Sequence, residues 1–398
     1  MIRNGLPPPL VAGVVVTWAA ALVAGCGDLG PAIPRVFTQI SAGGGQTCAL
    51  AAGGLAYCWG DNYYDQLGTG STSWENCDGP SCSTTPVPVL GGLRFSSVTS
   101  GEGATCGVTP GGSAYCWGLL RPLGSFPIVP VSRLPVWLPG RVPGGPAFAD
   151  VSAGASFACG MTGAGAAYCW GDNEVGQFGT GQVSQGDSSP AAVAGNLVFS
   201  HISAGGLYAC GVTLGGVAYC WGYNKDGELG TGDTTSHPFP AAVTGGLVFA
   251  TVTAGDDHSC GLTAGAAAYC WGSNGSGELG VGDTRQRLAP VPVQGGLAFS
   301  AVSAGGRHTC GLAAGRAYCW GFNFAGQLGV GDTINRMVPT PVAGGLTFVS
   351  ISTGDLHTCA LTSSGAAYCW GMNEVGELGV GDTINRMVPT PVAVGGPP

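Results

Sequence analysis

The chain has 398 residues, of which 75 are glycine and 9% are charged, and its formal net charge is −9. Ordinary soluble domains carry about 25% charged residues. Disordered chains are highly charged and poor in apolar side chains, so this composition excludes disorder. The basic residues are twelve arginines and Lys225, with no basic run. Binding to nucleic acid through clustered phosphate contacts is therefore not expected.

The N-terminal segment has the features of an export signal. Arg3 precedes an apolar stretch from Leu10 to Ala24, which is shorter than the roughly twenty residues of a membrane-spanning helix. The end of this stretch and the two residues after it, Val23-Ala24-Gly25-Cys26, resemble the lipobox of bacterial lipoproteins. The resemblance implies a cleaved signal peptide over 1–25, lipid attachment to Cys26 and a short tether over 26–36.

We therefore expect an exported protein anchored by lipid in the bacterial cell envelope. Gly27, rather than Asp, follows the cysteine, which implies the outer membrane in a Gram-negative species. An ordinary cleaved signal with an incidental cysteine is the alternative.

The remaining chain contains seven copies of one sequence unit, each starting with a segment of the form F-x-x-V-S-A-G and carrying Y-C-W-G. Each unit predicts four short strands, and its last, proline-bearing strand should lie at a sheet edge. Four antiparallel strands per repeat in a closed ring make an all-β, seven-bladed β-propeller over 37–396. The expected blades are 37–94, 95–147, 148–198, 199–248, 249–298, 299–347 and 348–396. A terminal strand paired across the seam, from VPTPV near the C-terminus or from Val36-Phe37, is one way to close the ring.

Units of the form G-x-x-H-T-C-x-L-T-x-x-G-x-x-Y-C-W-G-x-N-x-x-G-Q-L-G-x-G resemble the regulator-of-chromosome-condensation repeat. They cover nearly all of residues 37–396. The resemblance implies a seven-bladed propeller. The namesake activity, guanine-nucleotide exchange on a nuclear GTPase, is not expected of an exported bacterial protein, because fold alone does not carry function.

The cysteines predict a disulfide framework. Sixteen of the 17 cysteines remain when Cys26 carries lipid, and an even number in an exported chain favours disulfides. If the two cysteines of a unit lie opposite each other in a hairpin, a small residue faces the tyrosine of Y-C-W-G in every unit, which suits tight packing. Zinc binding is the alternative. The predicted pairs are Cys48–Cys58, Cys106–Cys116, Cys159–Cys169, Cys210–Cys220, Cys260–Cys270, Cys310–Cys319 and Cys359–Cys369, with Cys77–Cys82 in an insertion.

No motif predicts a catalytic residue, a metal site or a cofactor. His258, His308 and His357 share a repeat position that holds Phe157 and Ala104 in other units, so packing is the favoured role. The G-x-G-x-x-G at Gly275 lies in a repeated loop and opens no helix, as a dinucleotide site would require. The sequence leaves open a carboxylate pair contributed by different blades. The recurring aspartates of G-x-G-D-T are expected to form Asx-turns; they are Asp233, Asp283, Asp332 and Asp382.

The two irregular units, the first and the second, hold the candidate binding residues. The first carries an insertion from Ser71 to Thr85, and the second replaces the N-x-x-G-Q-L-G loop with a proline-rich stretch from Leu119 to Pro146. Aromatic and arginine side chains are typical binding hot spots. The candidates are Trp74, Arg121, Arg133, Trp137 and Arg141. A degenerate blade with a surface loop is the alternative.

These features favour a monomeric, membrane-anchored binding scaffold whose partner is a protein or an envelope glycan, because propellers present variable loops on one face. Two alternatives remain: an inhibitor of a secreted or periplasmic enzyme, and an enzyme acting on polysaccharide.

Overall fold

The computed structural model describes Met1 and residues 36–70, 81–120 and 138–394. The predicted signal peptide, Cys26 and the tether up to residue 35 lie outside these residues. Within the described part, the chain forms 28 β-strands and no helix, so it contains no helix able to span a membrane.

The strands fall into seven groups of four consecutive strands. Blade one contains β1 (Phe37–Ala42), β2 (Gln46–Ala51), β3 (Ala56–Asp61) and β4 (Cys82–Pro88); blade two contains β5 (Ser97–Ser100), β6 (Ala104–Val108), β7 (Ala114–Gly118) and β8 (Gly140–Arg141). Blade three contains β9 (Phe148–Ala153), β10 (Phe157–Thr162), β11 (Ala167–Gly171) and β12 (Asp187–Ala192); blade four contains β13 (Phe199–Ala204), β14 (Tyr208–Thr213), β15 (Ala218–Gly222) and β16 (His237–Ala242). Blade five contains β17 (Phe249–Ala254), β18 (His258–Thr263), β19 (Ala268–Gly272) and β20 (Arg287–Pro292). Blade six contains β21 (Phe299–Ala304), β22 (His308–Ala313), β23 (Arg316–Gly321) and β24 (Arg336–Pro341); blade seven contains β25 (Ser350–Thr353), β26 (His357–Leu361), β27 (Ala367–Gly371) and β28 (Arg386–Pro391).

Each blade is a four-stranded antiparallel sheet in sequence order. The first strands of neighbouring blades contact one another and line a central channel, whereas the proline-bearing fourth strand is the outer edge. The predicted seven-bladed propeller and the position of the proline-bearing strand are therefore confirmed. In blade two the fourth strand is reduced to Gly140–Arg141, as the loss of the repeated loop would suggest.

The second and third strands of each blade pair in the predicted register. Cys48 lies opposite Cys58 and Ala49 opposite Tyr57, and the same register recurs in all seven blades. The seven predicted within-blade disulfides form, with Cα–Cα distances of 4.0–4.1 Å. Cys82 is also disulfide-bonded. Its predicted partner, Cys77, lies outside the described residues, so the eighth pair stays a prediction.

The hydrophobic core lies in the seams between consecutive blades. The tryptophan of each Y-C-W-G is buried beside the phenylalanine that opens its own blade, as Trp59 is beside Phe37 with ring centroids 6.1 Å apart. The preceding blade contributes a glycine to the same contact. A Cβ at Gly379 would lie 2.7 Å from Nε1 of Trp59, and the φ of Gly379 is 65°. This close approach, together with the positive φ, explains the second glycine of N-x-x-G-Q/E-L-G.

The ring closes with the same contacts that join the other blades. The amide of Phe37 donates to the carbonyl of Gly365 at 2.8 Å, as the amide of Phe95 donates to Gly54 between blades one and two. Thr47 Oγ1 donates to the carbonyl of Glu377 at 2.9 Å. In the described part of the chain, β1 pairs only with β2 and β28 only with β27. Among the described residues, neither Val36-Phe37 nor the VPTPV segment pairs with a strand of the opposite blade, so closure of the ring by a terminal strand is not observed there.

Candidate functional site

A concave cavity lies at one mouth of the central channel, and we call it the bowl. It measures about 730 Å³ and receives residues from blades one to five and seven. The turns between the first and second strands form its floor, and the residues that follow the third strands form its wall. Its lining residues with side chains are Asp61, Tyr64, Glu102, Leu119, Ala155, Ser156, Leu207, Tyr223, Asp256, Asp257 and Asp355.

The bowl is strongly acidic, because five carboxylates line it and no lysine or arginine is among its described lining residues. Glu102, Asp256 and Asp355 come from blades two, five and seven, and one carboxylate oxygen of each lies within 4.8 Å of those of the other two. All three follow the glycine that ends the first-strand segment. At this repeat position the other blades carry only glycine or alanine. The three acidic side chains therefore converge without steric competition.

Crowding of the carboxylates perturbs their ionisation. Burial, followed by the charges of Glu102 and Asp257, raises the pKa of Asp256 to about 7. Burial and the charges of Asp256 and Glu102 raise the pKa of Asp355 well above its ordinary value, and burial and Asp257 raise that of Glu102. Like charges in one site disfavour full ionisation. A cationic ligand would stabilise the ionised forms.

A second group of carboxylates lies at the seam between blades four and five. Asp226, Glu228 and Asp257 each place one carboxylate oxygen within 4.8 Å of the others. Glu228 is fully buried, and burial, followed by the charges of Asp226 and Asp257, raises its pKa to about 7. Because Asp257 also lines the bowl, this group adjoins the bowl wall.

The glutamine or glutamate of the N-x-x-G-Q/E-L-G loop has a recurring structural role. In blade one, Gln66 Oε1 accepts from the amide of Tyr64 at 2.8 Å and its Nε2 donates to Asp61 at 2.9 Å. In blade seven, Glu377 Oε2 accepts from the amide of Val375 at 3.0 Å, and burial raises the pKa of Glu377 to about 7. In blades one and three an aspartate follows Y-C-W-G and accepts from the glutamine amide, whereas in blade six Phe322 takes that position and Nε2 of Gln327 has no hydrogen-bond partner among the described residues.

The three histidines connect blades rather than line the bowl. Nε2 of His258, His308 and His357 lies 2.8 Å from Oγ1 of a threonine in the next blade around the ring. The hydroxyl of Thr309 donates to the carbonyl of Glu278, so Nε2 of His258 carries the hydrogen of that pair. Burial lowers the pKa of His258 and His357 to about 4 and that of His308 to about 3. Buried, neutral rings are what a packing position requires.

The structure brings few of the predicted site residues together. Of the five candidate binding residues, only Arg141 is described; it is exposed on the short β8, opposite Tyr115, and does not line the bowl. Trp74, Arg121, Arg133 and Trp137 lie outside the described residues. The recurring aspartates do form the predicted turns, since Oδ1 of each accepts the amide two residues later.

Sequence reasoning missed the bowl carboxylates. The available signal was the repeat position after the conserved glycine, where three blades carry an acidic residue and four carry a small one. The carboxylates from different blades that the sequence left open are thus brought together here, although as a group of three.

The ring of seven four-stranded blades, with a bowl at one end of its channel, defines the class: a repeat-built, seven-bladed β-propeller. The RCC1-like domain model matches residues 24–347, and models of the regulator of chromosome condensation (RCC1) repeat match 348–377 and 364–396. The chain belongs to the RCC1-like domain family, which confirms the resemblance inferred from its repeats.

The chain spans less than half the length of the curated relatives that it matches. The chain is 31% identical over 198 residues to the ultraviolet-B receptor UVR8 of Arabidopsis thaliana, covering 49% of this chain and 43% of UVR8. It is 28% identical over 209 residues to the human E3 ubiquitin-protein ligase HERC2, covering 50% of this chain and 4% of HERC2. Among solved structures, human WBSCR16 gives a TM-score of 0.76 at 22% identity, covering 86% of this chain and 96% of that one. Yeast RCC1 (Prp20) bound to Kap60 gives a TM-score of 0.69 at 21% identity, covering 80% of this chain and 78% of that one. At these low identities, the likeness to the two solved structures shows a shared fold alone.

Proposed function

We propose that this chain is a binding scaffold, not an enzyme, and that its bowl holds a positively charged segment of a protein partner. The observation that carries the proposal is the bowl itself, a cavity of about 730 Å³ with five carboxylates. Cavities lined by one sign of charge concentrate ligands of the opposite sign. Tyr64 and Tyr223 add aromatic surface to the wall, and aromatic rings suit cationic side chains. One structural relative, yeast RCC1, is itself bound to a protein, Kap60.

The irregular second blade supports the same face. Leu119 lines the bowl, and the stretch with Arg121, Arg133 and Trp137 begins within two residues of it in sequence. That stretch lies outside the described residues, and its arginine and tryptophan side chains stay the predicted source of the contacts that select one partner. An envelope glycan is the second candidate partner retained from the sequence.

A labelled basic peptide tests the bowl directly. We expect fluorescein-labelled tetralysine to bind the full chain in calcium-free buffer, with an affinity that falls as salt is added. Glu102→Gln combined with Asp355→Asn should weaken binding by about tenfold, or about 1.4 kcal/mol. Asp187→Asn is the matched control, because Asp187 is exposed on the outer strand β12. Equal loss in the control variant, or binding insensitive to both changes, would contradict the proposal.

We further propose that the protein is exported and anchored to the bacterial envelope through lipid on Cys26. The seven within-blade disulfides support an oxidising compartment, and the lipobox-like Val23-Ala24-Gly25-Cys26 supports the anchor. Globomycin, which blocks lipoprotein signal peptidase, should cause an uncleaved precursor to accumulate in cells. Normal processing in its presence would refute the anchor while leaving the bowl unaffected.

A further inference from the structure

Three carboxylates at the seam between blades four and five are spaced as cation ligands. Asp226 and Glu228 come from the loop after β15, and Asp257 comes from the turn between β17 and β18. One oxygen of each lies within 4.8 Å of those of the other two. Because Ca²⁺–oxygen distances are 2.3–2.6 Å, two oxygens on opposite sides of one ion lie about 4.8 Å apart. Three oxygens at the upper limit of this spacing lie about 2.8 Å from a common point, so shifts of a few tenths of an ångström let a single ion contact all three side chains.

Glu228 independently indicates a positively charged ligand. The residue is fully buried; its Oε2 accepts from the amide of Asp226 at 2.9 Å, while its Oε1 has no hydrogen-bond partner among the described residues. A buried carboxylate oxygen is destabilising unless a donor or a cation contacts it. The nearest acidic side chains, Asp226 and Asp257, increase that cost, because they carry the same charge.

The next seam shows which group neutralises the equivalent glutamate there. At the seam between blades five and six, Glu278 is the counterpart of Glu228, Ser276 of Asp226, and Arg307 of Asp257. The Nε of Arg307 lies 3.9 Å from Oε1 of Glu278, and its Nη2 donates to Oγ of Ser276 at 3.4 Å. One seam thus holds a guanidinium against the buried glutamate. The other seam surrounds its glutamate with two further carboxylates.

We propose that Asp226, Glu228 and Asp257 bind one divalent cation, Ca²⁺ in preference to Mg²⁺, in the place that the Arg307 guanidinium takes at the next seam. Carboxylates are the ligands that Ca²⁺ prefers, and its variable geometry suits side chains from two blades with water completing the shell. Mg²⁺ demands near-ideal octahedral geometry and loses water reluctantly. The expected dissociation constant is in the range of about 10⁻⁴–10⁻³ M found for extracellular calcium modules.

The test is calorimetric titration of CaCl₂, and separately MgCl₂, into the full chain after treatment with EDTA, at constant ionic strength. We expect one Ca²⁺ per chain, weaker binding of Mg²⁺, and a rise in Tm of about 3 °C at roughly one hundred times the dissociation constant. The variant Asp226→Ser/Asp257→Arg installs the residues of the next seam. It should lose Ca²⁺ binding and melt higher than the parent in EDTA, because a guanidinium then pairs with Glu228.

Two further variants keep the outcome decisive. Asp257→Asn, a change of similar size, should weaken Ca²⁺ binding at least about tenfold without unfolding the blade. Glu102→Gln, in the neighbouring group of carboxylates, should leave the stoichiometry and affinity unchanged. The proposal is overturned if the parent chain binds no Ca²⁺ up to several millimolar. It is equally overturned if binding survives in Asp226→Ser/Asp257→Arg, or if Glu102→Gln abolishes it.

Discussion

Replacing Glu377 by glutamine should remove a pH-dependent loss of stability at the seam between blades seven and one, which closes the ring. Glu377 is 3% exposed, and burial, followed by the charges of Glu374 and Asp61, raises its pKa from 4.5 to about 7. A carboxyl group whose pKa is raised on folding stabilises the fold most below its unfolded pKa, and that stability is lost as the pH rises through the folded value. The rise to about 7 corresponds to at most about 3 kcal/mol. Gln327 of blade six shows that an amide is accommodated at this loop position, where its Oε1 accepts from the amide of Ala325 at 3.0 Å.

The assay is equilibrium unfolding in urea, with disulfides intact, from about pH 5 to about pH 8. We expect Glu377→Gln to gain stability relative to the parent as the pH rises, by roughly 2–3 kcal/mol over this range. Asp187→Asn is the control: Asp187 is exposed on β12 in blade three and does not contribute to the raised pKa of Glu377, so its curve should run parallel to that of the parent. Parallel curves for Glu377→Gln and the parent would refute the reasoning.

Three further predictions concern the frame of the propeller. The pKa of His308 is lowered on folding from 6.5 to about 3, so its stabilising contribution is present above about pH 6.5 and is lost as the pH falls. His308→Gln should therefore flatten the decline in the free energy of unfolding in urea between about pH 6.5 and 4. An unchanged slope would contradict this. Replacing Cys310 and Cys319 by alanine opens a loop of nine residues and should cost roughly 2–3 kcal/mol in the same assay, whereas no loss would show that the bridge is dispensable. Gly329→Ala should lower the free energy of unfolding by about 1–3 kcal/mol more than Gly331→Ala. Both glycines have positive φ, but only a Cβ at Gly329 would meet the indole of Trp370. Equal losses of stability in thermal melting would contradict the packing argument.

The blades, their strand register and their edge strands could be predicted from the sequence because each of these elements recurs seven times. The register of Cys48 with Cys58 also aligned Ala49 with Tyr57, and the same check repeated in every unit, so a wrong register would have failed repeatedly. The proline of the fourth strand fixed that strand at the edge, because proline cannot donate to a neighbouring strand. The seven repeats therefore provide seven independent checks of one strand register.

The bowl could not be found in this way, because its residues differ from blade to blade. Glu102, Asp256 and Asp355 are far apart in sequence and meet only because the turns of blades two, five and seven converge at the channel mouth. Asp226 lies in a loop that lacks a calcium motif, and its partner Asp257 belongs to another blade. Contacts across seams depend on ring closure, which no single repeat unit encodes.

The central claim, that the bowl is the ligand-binding face, is tested most directly by hydrogen–deuterium exchange on the full chain with and without tetralysine. We expect the peptide to slow exchange at the bowl turns 43–46, 101–104 and 354–357. Exchange should be unchanged at the opposite end of the channel, around Gln39 and His201. Protection at the opposite end or along the outer strands, with none at these turns, would contradict the account.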